Sequence, residues 1–282
     1  MIRLVASDLD GTLLRSDRTL SERTVNVLTR LPEKGIVFVA STGRSFEAAC
    51  RLVRKELKDA VLLTCNGAEV FEGDVSVISH LMDGEDCVKI RHILENTCAI
   101  PKFNGANDCY MTEKNALDIL HDQVRRRNPN LSDDEVEKVP YFQDLKSGLH
   151  IITEEELSKL GPSVGKAFCM VSDKDAIDGL LEMMRRHPEF SAVSSGSDNI
   201  EISAKQANKG SSLLEYVKMK NISPDEVLVF GDSLNDRSMM EKGFHSVAMG
   251  NADPRIIDLA DEVTLSNDED GVAAYLEGLL GL

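Results

Sequence analysis

The sequence predicts an α/β protein with a doubly wound, mostly parallel sheet and a smaller inserted α+β unit. The first observation behind this prediction is a set of short apolar runs, rich in β-branched residues, at 2–6, 36–40, 61–64, 227–230 and 247–249. Such runs, bounded by turn residues, are typical of buried parallel strands. The second observation is that helical patterns separate the first three runs, and alternating strands and helices form doubly wound sheets.

Both helices predicted between these runs have one apolar face. Ser21 can cap the first helix and Pro32 ends it. Between those two residues, apolar side chains recur every third position, at 25, 28 and 31. In the second helix the apolar positions are 46, 49, 50, 53 and 57, which lie on one side of a helix. Each helix can therefore pack one face against the sheet.

The middle of the chain has a different pattern and predicts a separate α+β unit over residues 83–203. Its predicted elements are a helix near residue 90, a hairpin over 102–111, a strand over 166–171, a helix capped by Ser172, and a second hairpin turning at 196–199. Strand-like core segments resume only after Lys209. The predicted main domain is therefore residues 1–82 with 204–282, and the middle unit is an insertion.

The composition is that of an acidic globular protein. The 282 residues include 32 Lys and Arg against 48 Asp and Glu, a net charge of −16. That charge repels nucleic acids and anionic membrane surfaces unless a local basic patch offsets it. The densest basic stretch, residues 125–127, is followed by acidic residues at 133–135 and 137, which is typical of a solvated helix end and loop. We therefore expect neither a nucleic-acid nor a membrane partner.

The cysteines and the N-terminus predict a reducing, cytoplasmic location. Six cysteines occur without a CxxC pair and without a histidine at metal-ligand spacing. The apolar run at 1–6 is too short for a signal peptide and is followed at once by Asp8 and Asp10. No eighteen apolar residues stand together, so no membrane-spanning helix is expected.

Two carboxylates mark the end of the first predicted strand. Open α/β sheets bind ligands at the carboxyl ends of their strands, and Asp8 and Asp10 stand there, two residues apart. Two carboxylates held close together are both ionised cheaply only with a cation between them. Mg²⁺, which prefers oxygen ligands, is the predicted companion. A simple Asp-Gly turn is the alternative interpretation of these residues taken alone.

The second strand ends in Ser41, Thr42, Gly43 and Arg44, directly before a helix. A hydroxyl and free backbone N–H groups at a helix N-terminus can bind an anion. Thr or Ser is also the favoured residue for capping a helix, so the local pattern alone favours both interpretations equally.

A third acid stands at a third strand end, where Asp232 follows the run at 227–230. Asp232 can complete a metal site, with Ser233 or Asp236 either binding the ion or orienting its ligands. An Asx turn that caps the next helix is the local alternative. Lys209, at a predicted helix start, is by itself typical of a solvated lysine.

Four strings, taken together, resemble the four motifs of the haloacid dehalogenase superfamily in their order. They are DLDGTL at 8–13, TGR at 42–44, KG at 209–210 and GDSLND at 231–236. The sequence is most similar to the Cof-type phosphatases, which its tail from VAMGNA at 247–252 to DGV at 270–272 also resembles. The middle unit stands where that family has its α/β cap domain.

The resemblance implies a phosphatase that works through an aspartyl-phosphate. Asp8 would attack the phosphorus of a phosphate monoester. Asp10 would protonate the leaving oxygen and later take a proton from water. Mg²⁺ would be held by Asp8, Asp232, the backbone carbonyl of Asp10 and Ser233 or water.

The remaining motif residues would bind the phosphoryl group or support the site. By the resemblance, the phosphoryl oxygens would contact the Thr42 hydroxyl, Lys209, Asn235 and the backbone N–H groups of Leu9 and Gly43. Asp236 would support the metal site from behind. Arg44 is the candidate for contacting the substrate beyond its phosphoryl group.

Several alternatives stay open from the sequence. A phosphomutase keeps both acids and returns the phosphoryl group to the substrate. A receiver-type phospho-acceptor module also gathers acids, a Thr, a Lys and Mg²⁺, but pairs adjacent acids and has no cap. A catalytically silent metal-binding scaffold is the third. The predicted partner is a small phosphorylated metabolite, such as a sugar phosphate, a nucleotide or a vitamin-related phosphate. The sequence does not predict the oligomeric state.

Overall fold

A computed structural model describes residues 1–171, 174–195 and 198–281. The chain divides into two compact units. The first is formed by Met1–His80 together with the segment from Lys205 onward, and the second by Leu81–Ala204. The sequence prediction had placed the insertion at 83–203. The predicted cap Ser172 and the turn residues Gly196 and Ser197 lie outside the described residues.

The strands, in chain order, are β1 Leu4–Asp8, β2 Val37–Ser41, β3 Val61–Thr64, β4 Glu69–Glu72, β5 Val75–Ser79, β6 Lys102–Gly105, β7 Cys109–Met111, β8 Leu149–Ile151, β9 Val164–Met170, β10 Phe190–Val193, β11 Asn199–Ala204, β12 Val227–Gly231, β13 His245–Ala248 and β14 Glu262–Val263.

The α-helices are α1 Glu22–Leu28, α2 Phe46–Val53, α3 Gly84–Ile93, α4 Ala116–Arg127, α5 Asp133–Val136, α6 Pro140–Lys146, α7 Glu154–Ser158, α8 Lys174–Met184, α9 Lys209–Met219, α10 Arg237–Met240, α11 Pro254–Ile257 and α12 Gly271–Leu280. None of the helices in the described part of the chain is both long enough and apolar enough to cross a bilayer.

The first unit is built on an eight-stranded sheet in the order β14-β13-β12-β1-β2-β3-β4-β5. The six strands from β14 to β3 run parallel, and β4 and β5 extend the sheet as an antiparallel hairpin. Every residue of β1 is buried because both faces of its sheet are covered. The predicted doubly wound, mostly parallel sheet is confirmed. The hairpin was not predicted.

The second unit has a six-stranded sheet in the order β10-β11-β9-β6-β7-β8, antiparallel except for the pair β7 and β8. Alternate residues of β9 contribute to two separate cores. Ala167 and Cys169 belong to one apolar cluster, and Met170 to another that includes Phe142 and Leu145 of α6. Most side chains of this second cluster come from α4, α5 and α6. Of these helices the sequence predicts only the end of α4.

The basic stretch ends a helix, as predicted, but the acidic residues that follow it form the short helix α5 and not a loop. All six cysteines are free thiols, and only Cys98 is exposed. The arginines at 125–127 form the last turn of α4. Arg125 pairs with Asp133, and the Arg127 Nε lies 2.5 Å from Asp198 Oδ2. Aspartate side chains of the same chain therefore pair with two of these three arginines.

Candidate active site

Three neighbouring strands bring the predicted site residues to one edge of the first unit's sheet. β1 pairs in parallel with β2 on one side and with β12 on the other, in register at Leu4, Val37 and Val227. Because parallel strands end at the same edge, Asp8, Thr42 and Asp232 follow adjacent strand ends. β12 is next to β1 in the sheet but far from it along the chain. No local sequence pattern could therefore predict that these three residues lie together.

Lys209 lies at the centre of the polar groups. Its side chain is fully buried, with Nζ 2.5 Å from Asp8 Oδ1 and 2.6 Å from Asp236 Oδ1. It is the first residue of α9, whose cap Asn208 accepts a hydrogen bond from Ser211 N–H. Burial alone lowers the pKa of an ammonium, but the charges of Asp236 and Asp8 outweigh it, so the pKa of Lys209 lies above its usual range. Lys209 is therefore a permanent buried cation.

Asp236 is occupied at both carboxylate oxygens. One oxygen accepts from Lys209, and Oδ2 accepts the backbone N–H groups of Asp232 and Ser233 at 3.0 and 3.1 Å. These bonds fix the turn after β12 and the direction in which Asp232 points. Asp236 therefore fixes the backbone of its neighbours Asp232 and Ser233.

Asp232 is held from the opposite side by Thr12. The Thr12 hydroxyl donates to Asp232 Oδ1 at 2.7 Å. Burial, followed by the charge of Asp236, raises the pKa of Asp232 to about 7. Burial likewise raises the pKa of Asp8 well above its usual range, against the opposing charge of Lys209. Burial and the charge of Asp236 thus disfavour the ionised form of both carboxylates, and Lys209 offsets this only in part.

The group has the chemistry of a site for a hard divalent cation. Oxygen atoms of Asp8, Asp232 and Asp236 lie within 4.8 Å of one another. All three donors are carboxylates, which suit Mg²⁺, and burial together with repulsion from Asp236 raises the pKa values of Asp8 and Asp232. Because Lys209 and two N–H groups already occupy Asp236, the side chains that remain to bind an ion are those of Asp8 and Asp232.

The Thr42 loop is joined to the turn that follows β3. Thr42 is buried, and its hydroxyl accepts the backbone N–H of Arg44 at 3.1 Å. Its carbonyl accepts the N–H of Asn66 at 3.0 Å. Asn66 has a left-handed backbone, with φ of +57°, which Asn tolerates better than most residues. Gly43, between Thr42 and Arg44, is half-buried.

Asn66 connects this loop to Asn235. The Asn235 side chain is buried and donates through Nδ2 to Asn66 Oδ1 at 3.1 Å, while its own Oδ1 accepts the Ser233 hydroxyl at 2.6 Å. Ser233 is predicted either to bind the metal or to orient its ligands, and in the structure its hydroxyl donates to Asn235. Leu9 is fully buried, and its carbonyl accepts the N–H of Leu14 at 2.8 Å.

Arg44 contacts Asp10. Its Nε and Nη2 donate to the two carboxylate oxygens of Asp10 at 2.7 and 2.6 Å, a bidentate pair. The sequence analysis expected Arg44 to contact the substrate, a role that would require this pair to open. The Asp10 side chain is about half exposed (48%).

Sequence reasoning gave no role to Thr12 or Asn66. Thr12 stands inside the DLDGTL string, where its spacing from the acids was the available signal. Asn66 and Gly67 form a typical turn pair just after the predicted strand at 61–64. This strand end is the signal that could have added Asn66 to the site. Their partners, Asp232 and Asn235, are more than a hundred positions away in the chain.

Comparison with known proteins decides the family. Residues 5–276 match the haloacid dehalogenase-like hydrolase family. The chain is a haloacid dehalogenase-like hydrolase. Phosphatase YwpJ of Bacillus subtilis (strain 168) is 30% identical over 99% of this chain and 100% of its own length. A second hydrolase from that strain, 5-amino-6-(5-phospho-D-ribitylamino)uracil phosphatase YcsE, is 28% identical over 96% of this chain and 93% of its own.

Solved structures of such hydrolases share the fold. That of a haloacid dehalogenase-like hydrolase from B. subtilis has a TM-score of 0.82 and 30% identity, covering 99% of this chain and 100% of the other. The resemblance drawn from the four strings is confirmed, and the family assignment places the protein among enzymes and not among receiver modules. The curated relatives named here are phosphatases.

Proposed function

We propose that this hydrolase cleaves small phosphate monoesters with Asp8 as the nucleophile and Asp10 as the acid and base. The observation that carries the proposal is the placement of Asp8: it ends β1, contacts the buried Lys209, and lies beside Asp232, while Asp10 follows two residues later. A carboxylate held in this way can attack phosphorus without moving the backbone, because the strands on both sides fix it.

In the first half-reaction, an Asp8 carboxylate oxygen forms a bond to phosphorus while the bond from phosphorus to the leaving oxygen breaks. Asp10, protonated and no longer paired with Arg44, gives its proton to that oxygen, so the leaving group departs as an alcohol. Lys209 and the Thr42 hydroxyl stabilise negative charge on the phosphoryl oxygens. Hydrogen bonds with Ser233 and Asn66 hold the Asn235 side chain in place for the same purpose.

In the second half-reaction, Asp10 takes a proton from water as the water oxygen attacks phosphorus. The bond between phosphorus and Asp8 breaks, which releases inorganic phosphate and restores both aspartates. During this step Lys209 remains paired with Asp236, so the cation stays in place while the charge on Asp8 changes. The two bonds of Asp236 to the Asp232 turn keep the loop after β12 fixed through both steps.

Asp8 and Asp232 would hold Mg²⁺, together with the backbone carbonyl of Asp10. When bound, the ion supplies positive charge between an anionic nucleophile and an anionic substrate. Burial and repulsion from Asp236, which raise the pKa values of Asp8 and Asp232, would both be offset by a bound cation, and this supports the assignment.

The proposed substrate is a small phosphorylated metabolite with a hydroxylated leaving group, such as a sugar phosphate. The relative that is named for a phosphorylated ribityl compound supports this substrate class. An acidic surface with net charge −16 disfavours nucleic acids as substrates.

The test is phosphate release from a panel of sugar phosphates and other small monoesters with Mg²⁺, with and without a chelator. We expect steady turnover that chelation stops. Asp8→Asn should abolish it while the thermal unfolding midpoint stays near that of the wild type, because Lys209 keeps Asp236 as its counter-charge and burial disfavours the charge on Asp8. Asp74→Asn, at a highly exposed aspartate, is the matched control. An isomerised product without released phosphate would instead identify a mutase, and retained activity in Asp8→Asn would exclude Asp8 as the nucleophile.

A further inference from the structure

The acid loop, residues 9–16, determines where Asp10 stands. The Leu14 N–H donates to the Leu9 carbonyl at 2.8 Å, and Asp10 and Leu14 form an isolated β-bridge. The Asp10 side chain is half exposed, and its carboxylate is paired with Arg44. Its position therefore depends on the backbone of the loop and on this pair.

Two asparagines from distant parts of the chain hold this backbone. Asn251 Nδ2 donates to the Gly11 carbonyl at 2.8 Å, and Asn251 Oδ1 accepts the N–H of Asn267 at 2.9 Å. The side chain of Asn267, which is buried, donates through Nδ2 to the Leu14 carbonyl at 2.9 Å. The carbonyls of Gly11 and Leu14, which follow Asp10 in the loop, thus both accept hydrogen bonds from side-chain amides.

This arrangement needs an amide at position 251. Asn251 donates to a carbonyl with one end of its side chain and accepts an N–H with the other, which a carboxylate cannot do. An aspartate there would keep the bond to Asn267 N–H but place an oxygen against the Gly11 carbonyl. Asn251 stands in the VAMGNA string of the tail, which the catalytic roles above leave without a function.

We infer that Asn251 and Asn267 are positioning residues for proton transfer by Asp10. The inference rests on the proposed phosphatase function. Asp8 is fixed by its strand ladders and by Lys209, and does not depend on the asparagines. Loss of the amide bonds should therefore displace the acid and leave the nucleophile in place, while any change at the metal ligands that the loop carries or contacts would affect all substrates alike.

The consequence is selective for the leaving group. A nitrophenolate departs without a proton, whereas an alkoxide requires one, and positioned proton transfer contributes about 10²–10⁴-fold to rate. The value of kcat/KM reports the steps up to departure of the leaving group and not the later hydrolysis of the aspartyl-phosphate. It therefore tests proton donation by Asp10 and not its later action on water. A displaced Asp10 should lower kcat/KM for an alkyl phosphate much more than for p-nitrophenyl phosphate.

The experiment compares Asn251→Asp and Asn251→Ala with the wild type on glycerol phosphate and on p-nitrophenyl phosphate, both with Mg²⁺. We expect kcat/KM for the alkyl ester to fall about tenfold more than for the aryl ester. In an Asp10→Ala background, Asn251→Asp should add no further selective loss, because the group that it positions is gone.

Ser16→Ala is the matched control. It removes a bond of 2.7 Å from the same loop to Asp268, beyond the part that carries Asp10, and should leave the ratio of the two kcat/KM values unchanged. Equal losses on both esters in the Asn251 variants would overturn the inference and make the asparagines a structural clamp only. A wild-type protein that hydrolyses neither ester, nor any monoester of the panel, would instead refute the proposed function on which the inference rests.

Discussion

Lys209 is fully buried between two carboxylates, and its worth to the molecule can be measured at the level of one residue. Removing one member of a buried ion pair costs more than the pair itself contributes, because it leaves uncompensated charge in a poorly solvated site. Lys209 is the neighbour of both Asp8 and Asp236. Its loss would therefore leave two carboxylates facing each other.

We expect Lys209→Met to lower the free energy of unfolding by about 3–5 kcal/mol and to abolish turnover. Chemical denaturation without metal measures the stability change. Lys218→Met, on the exposed side of the same helix, is the control and should change stability by less than about 0.5 kcal/mol. A similarly small change for Lys209→Met would contradict its role as the cation of the cluster.

Individual site residues could be predicted from the sequence when the residue type and a strand end coincide. Asp8 and Asp232 satisfy both conditions, and the structure brings them together. The partner of Arg44 could not be predicted, because a guanidinium suits a substrate phosphate and a protein carboxylate equally well. Only the folded loop shows that Asp10 lies within its reach.

At the scale of elements, the turn after β1 combines two requirements at Gly11. Its φ of +83° lies in the left-handed region, and a Cβ built there would lie 2.6 Å from Asp232 Oδ2. The turn of the first strand and the turn of the twelfth therefore fit closely only with glycine at this position. Gly35, which ends the turn before β2, has φ of +71° and no atom within 4 Å of a built Cβ.

The two glycines separate backbone strain from the close approach. We expect Gly35→Ala to cost about 1–2 kcal/mol of stability and to leave the specific activity of the folded protein unchanged. Gly11→Ala has the same backbone penalty and in addition displaces Asp232, so it should lower activity and raise the Mg²⁺ concentration that gives half-maximal rate. Thermal unfolding and an Mg²⁺ titration of the rate measure both effects. Equal behaviour of the two variants would show that the contact with Asp232 does not matter.

The elements predicted from the sequence are those whose patterns are locally complete. The runs at 61–64 and 227–230 correspond to β3 and to most of β12, because buried parallel strands are apolar throughout. In β5, Val75 is exposed while Ile78 is buried, so this edge strand has no continuous apolar run. Helix α4 depends on packing with Phe142 of α6, a contact that exists only after folding.

At the scale of the whole molecule, the protein is acidic both at its surface and in the candidate site. The net charge is −16, and the buried cluster adds carboxylates whose pKa values are raised. An acid whose pKa is higher in the folded than in the unfolded state stabilises the fold at low pH, and this contribution is lost as pH rises through the folded value. For Asp232 that window extends from about 4 to about 7.

The same window should govern stabilisation by Mg²⁺. A cation binds ionised carboxylates, so protons compete with it below the pKa of Asp232, which is about 7. We expect the difference in thermal unfolding midpoint between Mg²⁺ and chelator to be small near pH 5.5 and to increase up to pH 8. Groups outside the cluster contribute to both samples and cancel in the difference. Asp232→Asn should remove most of the pH dependence of that difference, whereas a wild-type difference that is larger at pH 5.5 than at pH 8 would exclude a cation held by these carboxylates.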